Sequence, residues 1–276
     1  MRCKLICLIS SFILAAAPAR AAQLCGKALQ GEILVGYAPG AETAAIGNAV
    51  AAVDKDGLFL MALGRDEETN PQLILRGGGQ EAAYTLEVGK TAWDIQNIKG
   101  IPPRKVTPSD SDLRDIEFEQ KVVRAAQAAQ SSTAYWKKGF IMPVEGRISG
   151  NFGGQRIMNG VKKNPHAGMD IAAKTGTPVK AASDGIVTLA QPDLFYSGNV
   201  VIIDHGYGLH TIYAHLQEMK VKRGDTVSQG DIIGLVGQTG RATGPHLHWG
   251  ASVNGIKFNP PSLLNINTAD DFCFNL

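Results

Sequence analysis

Cysteine is scarce in this 276-residue chain, which has only Cys3, Cys7, Cys25 and Cys273. None lies near a histidine, and this excludes the thiolate-rich ligand set of most structural zinc sites. Long apolar runs are equally scarce. The one that stands out, from about Leu5 to Ala17, follows Arg2 and Lys4 and precedes the small-x-small triplet Ala19-Arg20-Ala21. It is too short to span a bilayer comfortably and reads as a secretory signal peptide over residues 1–21, cleaved near Ala22. No later stretch comes close, so no stable membrane span is expected. Cys25 follows Ala22-Gln23-Leu24, a poor match to the small-residue run that precedes a lipidated cysteine. Basic runs are missing as well. The formal net charge is +2, and loss of residues 1–21 removes Arg2, Lys4 and Arg20 and no acid, three positive charges fewer, which leaves −1. That balance argues against nucleic acid as a partner. Histidine is absent before residue 166, and all six histidines fall between 166 and 248.

What remains is an ordinary exported chain, 44% hydrophobic and 19% charged, with enough apolar residues for two modest cores. In an oxidising compartment Cys25 and Cys273 can pair in only one way, and we expect a disulfide that ties the first mature residues to the last. Closing a loop of nearly the whole chain is worth up to about 4–5 kcal/mol in the chain-entropy model. From Leu29 to Val88 short apolar or alternating runs are broken by turn signals such as Pro39-Gly40 and Gly77-Gly78-Gly79. This pattern predicts a small antiparallel β-sandwich, within an accessory unit at residues 22–100 that carries no ligand cluster. Asp56-Gly57, set between the runs Asn48 to Val53 and Leu58 to Met61, predicts a hairpin. The stretch Ile101-Pro102-Pro103-Arg104-Lys105-Val106-Thr107-Pro108 resists both helix and sheet ladder. Ser109-Asp110-Ser111-Asp112 then offers N-caps for a linker helix running to about Gln130, so that residues 101–138 form a connector. Beyond about Gly139 the chain is strand and turn, with Val200-Val201-Ile202-Ile203 and Ile232-Ile233-Gly234-Leu235-Val236 as buried strands. Gly176-Thr177-Pro178-Val179 and Gly224-Asp225-Thr226-Val227 each open a short hairpin like those of lipoyl and biotinyl carriers. A carrier needs a lysine at the hairpin tip, and the corresponding region here runs on into Thr239-Gly240-Arg241-Ala242-Thr243-Gly244 instead.

The chemistry is concentrated in Gly244-Pro245-His246-Leu247-His248-Trp249. Side chains alternate along a strand, so His246 and His248 point one way while Leu247 and Trp249 point into packing. Upstream stand His166 and Asp170, four residues apart, and between these groups lies His215 in Tyr213-Ala214-His215-Leu216. Three nitrogen or oxygen ligands with one open position make a catalytic zinc site, whose bound water is acidic enough to attack a carbonyl near neutral pH. His205 and His210 read as structural.

His166-x-x-x-Asp170, His215 in Tyr-x-His-Leu, and His246-x-His248 after Ala-Thr-Gly-Pro resemble the LytM-type zinc metallopeptidases of family M23, the peptidoglycan endopeptidases. The resemblance covers about 120 residues, including Phe152-Gly153, Asn159-Gly160, Asp204-His205-Gly206 and Gly224-Asp225. The chain departs from the family pattern at Lys174, where proline is common, and at His210, where a small polar residue is common. The resemblance implies a mainly β protein, with a LytM-type antiparallel sheet domain at residues 139–265 and a C-terminal tail at 266–276. It implies Zn2+ held by His166, Asp170 and His248, with His246 and His215 flanking the water as general base and as partner of the oxyanion or leaving group. Tyr196 matches a tyrosine that stabilises the tetrahedral intermediate in this family, with Phe195 and Tyr213 as neighbouring aromatics. Asp204 and Asp184 are candidates to orient a ligand imidazole. The implied function is hydrolysis of peptide crosslinks in peptidoglycan by a periplasmic or secreted enzyme, with the D-alanyl to diaminopimelate bond expected and a glycyl bond as the alternative. The rival is a non-catalytic LytM-type activator of a separate amidase, and such activators lack several of these residues.

Overall fold

The computed structural model describes residues 22–276, so the expected signal peptide lies outside the described residues. The chain is mainly β, 43% strand and 14% helix, as the sequence predicts. Two four-stranded antiparallel sheets make up the N-terminal region. One runs in the order Cys273–Asn275, Gln23–Cys25, Ile33–Tyr37 and Leu58–Ala62, the other Ala49–Ala52, Thr43–Ile46, Gln72–Gly77 and Gln80–Thr85. Alternation turns Leu73 and Leu75 inward, where they share a core with Leu34, Phe59 and Met61 of the facing sheet. Burying each such side chain stabilises the sandwich by about 2 kcal/mol.

The hairpin expected at Asp56-Gly57 does not form. Ala49–Ala52 pairs with Thr43–Ile46 in one sheet, while Leu58–Ala62 pairs with Ile33–Tyr37 in the other. The turn itself is present, with Asp54 Oδ1 accepting from the backbone N–H groups of Asp56 at 2.9 Å and Leu58 at 2.7 Å. Turn chemistry is local and does not decide which sheet each flanking strand joins, so here it makes a corner between layers. The tail also gains a role. Its strand Cys273–Asn275 lies against Gln23–Cys25 with Cys273 opposite Cys25, and the two cysteines form the expected disulfide across a Cα separation of 4.0 Å.

The passage from the N-terminal region to the C-terminal one is fastened at several points. Ile95–Ile98 pairs in parallel with Gln155–Met158 of the C-terminal region. Pro103–Val106 forms one helical turn where the prolines predict none, because a proline at the first helical position has its φ preset and no N–H to leave unpaired. The helix Asp110–Ala128 begins at a capping box in which Ser109 and Asp112 bond each other's backbone N–H groups. Its Ala126 packs with Leu189, Val200, Ile202 and Ala214 on one face of the C-terminal sheet. Among the described residues, no helix is long and apolar enough to cross a membrane.

That C-terminal sheet has ten strands. Its main path is Thr226–Val227, Gly185–Leu194, Gly198–Asp204, Leu209–Met219, His246–Val253, Gly168–Ala172 and Arg147–Gly150. Val200 to Ile203 are fully buried, as are Ile233 and Val236. Neither expected short hairpin is local: Pro178–Lys180 pairs with Ile232–Val236, and Thr226–Val227 pairs with Gly185 and Ile186. The opposite side of the sheet packs Trp249, Met169 and Ile171 into one cluster with Ile33 and Leu60, so the two halves share apolar contacts.

Candidate metal centre and groove

Strand pairing sets the first three residues side by side. Gly168–Ala172 runs antiparallel to His246–Val253 with Asp170 opposite His248. Leu247 and Trp249 are fully buried on the inner side, which leaves His246 and His248 on the outer one. Gly168 makes room for this, since a Cβ there would stand 2.8 Å from the His248 ring. His166, two residues before the strand, is held by its backbone N–H donating to Gly154 O at 2.8 Å. Its Nδ1 lies 2.9 Å from Asn151 O. A carbonyl only accepts, so Nδ1 carries the proton and the Nε2 lone pair faces His248 Nδ1 and Asp170 Oδ1, each at 3.0 Å. Asp170 Oδ1 is 2.9 Å from His248 Nδ1, and its second oxygen is bound by Arg156.

Burial pushes the His166 imidazolium down to about 4, so its ring is neutral at neutral pH. Burial alone would raise the Asp170 carboxyl, but the neighbouring His166 and His248 rings hold it well below the usual carboxylate range. One potential ligand atom from each of the three residues lies within 4.8 Å of the others. Two imidazoles and a carboxylate, converging, are the borderline N/O donors that suit Zn2+ with a position left open. The residues present therefore fit that ion.

His215 arrives by a different route. Strict alternation would put it on the same face as Tyr213, which is buried. A register shift in the pairing of Leu209–Met219 with Gly198–Asp204, together with a φ of 63° at His215, brings Ala214 and His215 to one face and returns Leu216 to the core. His215 Nδ1–H donates to Thr239 O at 2.8 Å, and its ring centroid is 4.7 Å from that of His246 and 6.0 Å from that of His248. Burial, reinforced by His246 and His248, pushes its imidazolium down to about 3. His246 Nδ1–H likewise donates to Gly244 O at 2.8 Å, and its Nε2 stands 3.8 Å from Asp170 Oδ1. Both rings thus present an Nε2 lone pair beside the donor triad.

His166, His215 and His248 open onto a groove that Tyr196 also lines. Phe195 and Tyr213 do not share that position. Phe195 is buried beneath Lys105, and the Tyr213 hydroxyl sits in the core, accepting from the Ala182 N–H at 2.9 Å. Asp204 and Asp184 are turn caps and reach no candidate ligand: Asp204 accepts from the N–H groups of Ser131 and Gly206, and Asp184 from that of Gln229. His205 and His210 are buried and bonded within the fold, His205 to Asp184 O at 2.6 Å and Thr211 Oγ1 at 2.7 Å, His210 to Ala129 O at 2.8 Å.

Three residues that the sequence reading passed over also shape the site. Arg156 holds Asp170, and Glu119, on the linker helix, accepts from Tyr196 N at 2.7 Å, Ser197 N at 3.1 Å and Ser197 Oγ at 2.6 Å. Arg241 stacks on Tyr196. No spacing rule links an arginine or glutamate to partners so distant in sequence. The unbroken run Gly240 to His246 was the available hint for Arg241.

Residues 164–260 match the model of peptidase family M23. Over 121 residues the chain is 46% identical to the peptidoglycan DD-endopeptidase ShyA of Vibrio cholerae, covering 42% of this chain and 28% of that protein. Over 98 residues it is 48% identical to the DD-carboxypeptidase/endopeptidase Mpg of Neisseria meningitidis, covering 36% of this chain and 22% of that one. The matched part thus spans less than a third of these curated relatives. A solved structure from Pseudomonas aeruginosa, described as a candidate M23 peptidase, aligns over 88% of this chain and 97% of its own with a TM-score of 0.69 and 28% identity. That alignment takes in both halves of the fold.

Proposed function

We propose that the chain, whose residues 164–260 match peptidase family M23, is a zinc-dependent endopeptidase cutting peptide crosslinks of bacterial peptidoglycan, with the D-alanyl to diaminopimelate amide as the expected bond. In this reading residues 139–265 are the peptidase unit and residues 22–100 an accessory unit, and the protein works outside the cytoplasm, where its substrate lies. The observation that carries the reading is the convergence of His166, Asp170 and His248 beside two further imidazoles with free Nε2 lone pairs.

His166, Asp170 and His248 would hold zinc, which supplies Lewis acidity toward the scissile carbonyl and toward water. His215 and His246 perform the proton transfers. Each has its Nδ1 proton committed to a backbone carbonyl, so each Nε2 is ready to accept. In hydrolysis one of them takes a proton from the attacking water as its oxygen bonds to the carbonyl carbon. As the C–N bond breaks, that proton passes to the departing nitrogen. Tyr196, on the same groove, would donate its hydroxyl to the oxyanion. The activator reading is not favoured, because all five of these metal and proton-transfer residues are in place and the relatives that match are peptidases.

Metal analysis of the purified chain tests the reading. The expected result is close to one zinc per chain, lost in Asp170→Ala. A chain that copurifies with no zinc and takes up none from a zinc buffer would contradict it.

A further inference from the structure

Three arginines line the groove, Arg124, Arg156 and Arg241, and two of them are already engaged. Arg156 binds Asp170, and Arg124 reaches Gln120 Oε1 at 3.4 Å. The Arg241 guanidinium has no hydrogen bond or ion pair among the described residues. It is nevertheless held firmly. Its carbon lies 4.2 Å from the centroid of the Tyr196 ring, and its backbone N–H donates to Tyr196 O at 2.8 Å. Gly240 permits this close approach, with φ of +71°, since a Cβ there would stand 2.4 Å from the same carbonyl oxygen. The acid nearest in the network, Glu119, is occupied by three donors of Tyr196 and Ser197. Arg241 is thus a half-buried cation that feels the Glu119 charge without touching it, and burial pulls its pKa below the usual arginine value.

We propose that Arg241 binds a free carboxylate on the residue that follows the scissile amide, so that the enzyme selects crosslinks whose leaving nitrogen and a free carboxylate share one carbon. This rests on the endopeptidase reading above and narrows its substrate class. A planar guanidinium matches a carboxylate through two parallel N–H···O bonds, and stacking on Tyr196 fixes the plane of that fork in advance. Its position fixes which carboxylate is meant. Arg241 lies two residues beyond Thr239, whose carbonyl orients His215, and it stacks on Tyr196, so the anion it meets sits close to the reacting bond. The nearest carboxylate in a D-alanyl to diaminopimelate crosslink is the one on the carbon that bears the leaving nitrogen. In a glycyl bridge the next carboxyl is itself tied up in an amide, and Arg241 would stay unpaired.

The test uses the full mature chain and two crosslinked muropeptide dimers that differ only at the carboxyl beside the leaving nitrogen, free in one and amidated in the other. Wild-type kcat/KM is expected to favour the free carboxylate on the order of 10- to 100-fold, the usual weight of a charge-assisted pair. Arg241→Met should bring the ratio close to one, and Arg241→Lys should keep part of it, since lysine retains the charge but not the fork. Zinc per chain is measured in each variant to show that the metal ligands are intact. A wild-type ratio near one, or a full ratio persisting in Arg241→Met, overturns the assignment while leaving the endopeptidase standing. A zinc-loaded wild type that cleaves neither dimer overturns the endopeptidase reading and the assignment with it.

Discussion

The two β regions differ most in what they bury. Among the described residues, no buried Asp, Glu, His, Ser or Thr precedes Asp112, whereas the sheet and helix that follow bury eleven such residues, four of them histidines. Burying an unpartnered polar group costs roughly 1–3 kcal/mol, so each one requires a partner or a use. Their hydrogen bonds separate the two cases. His205 and Asp204 spend their polar atoms on turns and neighbouring strands. His166 and His215 each spend one nitrogen on a carbonyl and keep the other lone pair for the groove. Unspent acceptors, more than burial or histidine count, distinguish the site from the scaffold.

Experiments that break this contrast should follow a graded order. His248→Ala removes a donor from the triad, and crosslink hydrolysis should fall on the order of 1,000-fold or more. Activity within tenfold of wild type would remove His248 from the chemistry. Replacing Cys25 and Cys273 with serine loosens the N-terminal sandwich, and urea unfolding should report a loss of up to about 4 kcal/mol while zinc stays bound. An unchanged midpoint would show that the strand pairing alone suffices.

The buried scaffold histidine gives a pH test. Burial pushes the His205 imidazolium down to about 4, against 6.5 in the unfolded chain. Between these values the unfolded chain binds the extra proton, so stability is full above pH 6.5 and declines as pH falls toward 4, by about 3 kcal/mol. Urea midpoints of the zinc-free protein should fall through that window, to which His166 and His215 contribute in the same direction, and His205→Asn should remove its own share of the slope. A slope as steep in the variant would place the effect elsewhere. The smallest effect belongs to Arg156→Met, which leaves one Asp170 oxygen unheld and should weaken zinc binding on the order of 10- to 100-fold in chelator competition.

Much of this site was legible because its spacing is local. His246-x-His248 needs only strand alternation, and the strand Gly168–Ala172 needs only its partner to bring Asp170 opposite His248. His215 was recognisable by family pattern alone, since alternation assigns it to the wrong face and only the irregularity at φ 63° corrects it. The sandwich could be read from its alternating strands, but the Asp56-Gly57 corner could not, because a turn sequence carries no information about layer. Glu119 and Arg156 were invisible for a related reason. Their meaning lies in partners, Ser197 and Asp170, that only the folded chain brings near.

The most direct test is mass spectrometry of purified crosslinked muropeptide dimers after incubation with the protein, beside a chelator-treated sample. The account predicts that dimer disappears with a new amine and a new carboxylate at one peptide bond, and that chelation prevents it. Intact dimer in the presence of zinc-loaded protein would contradict it.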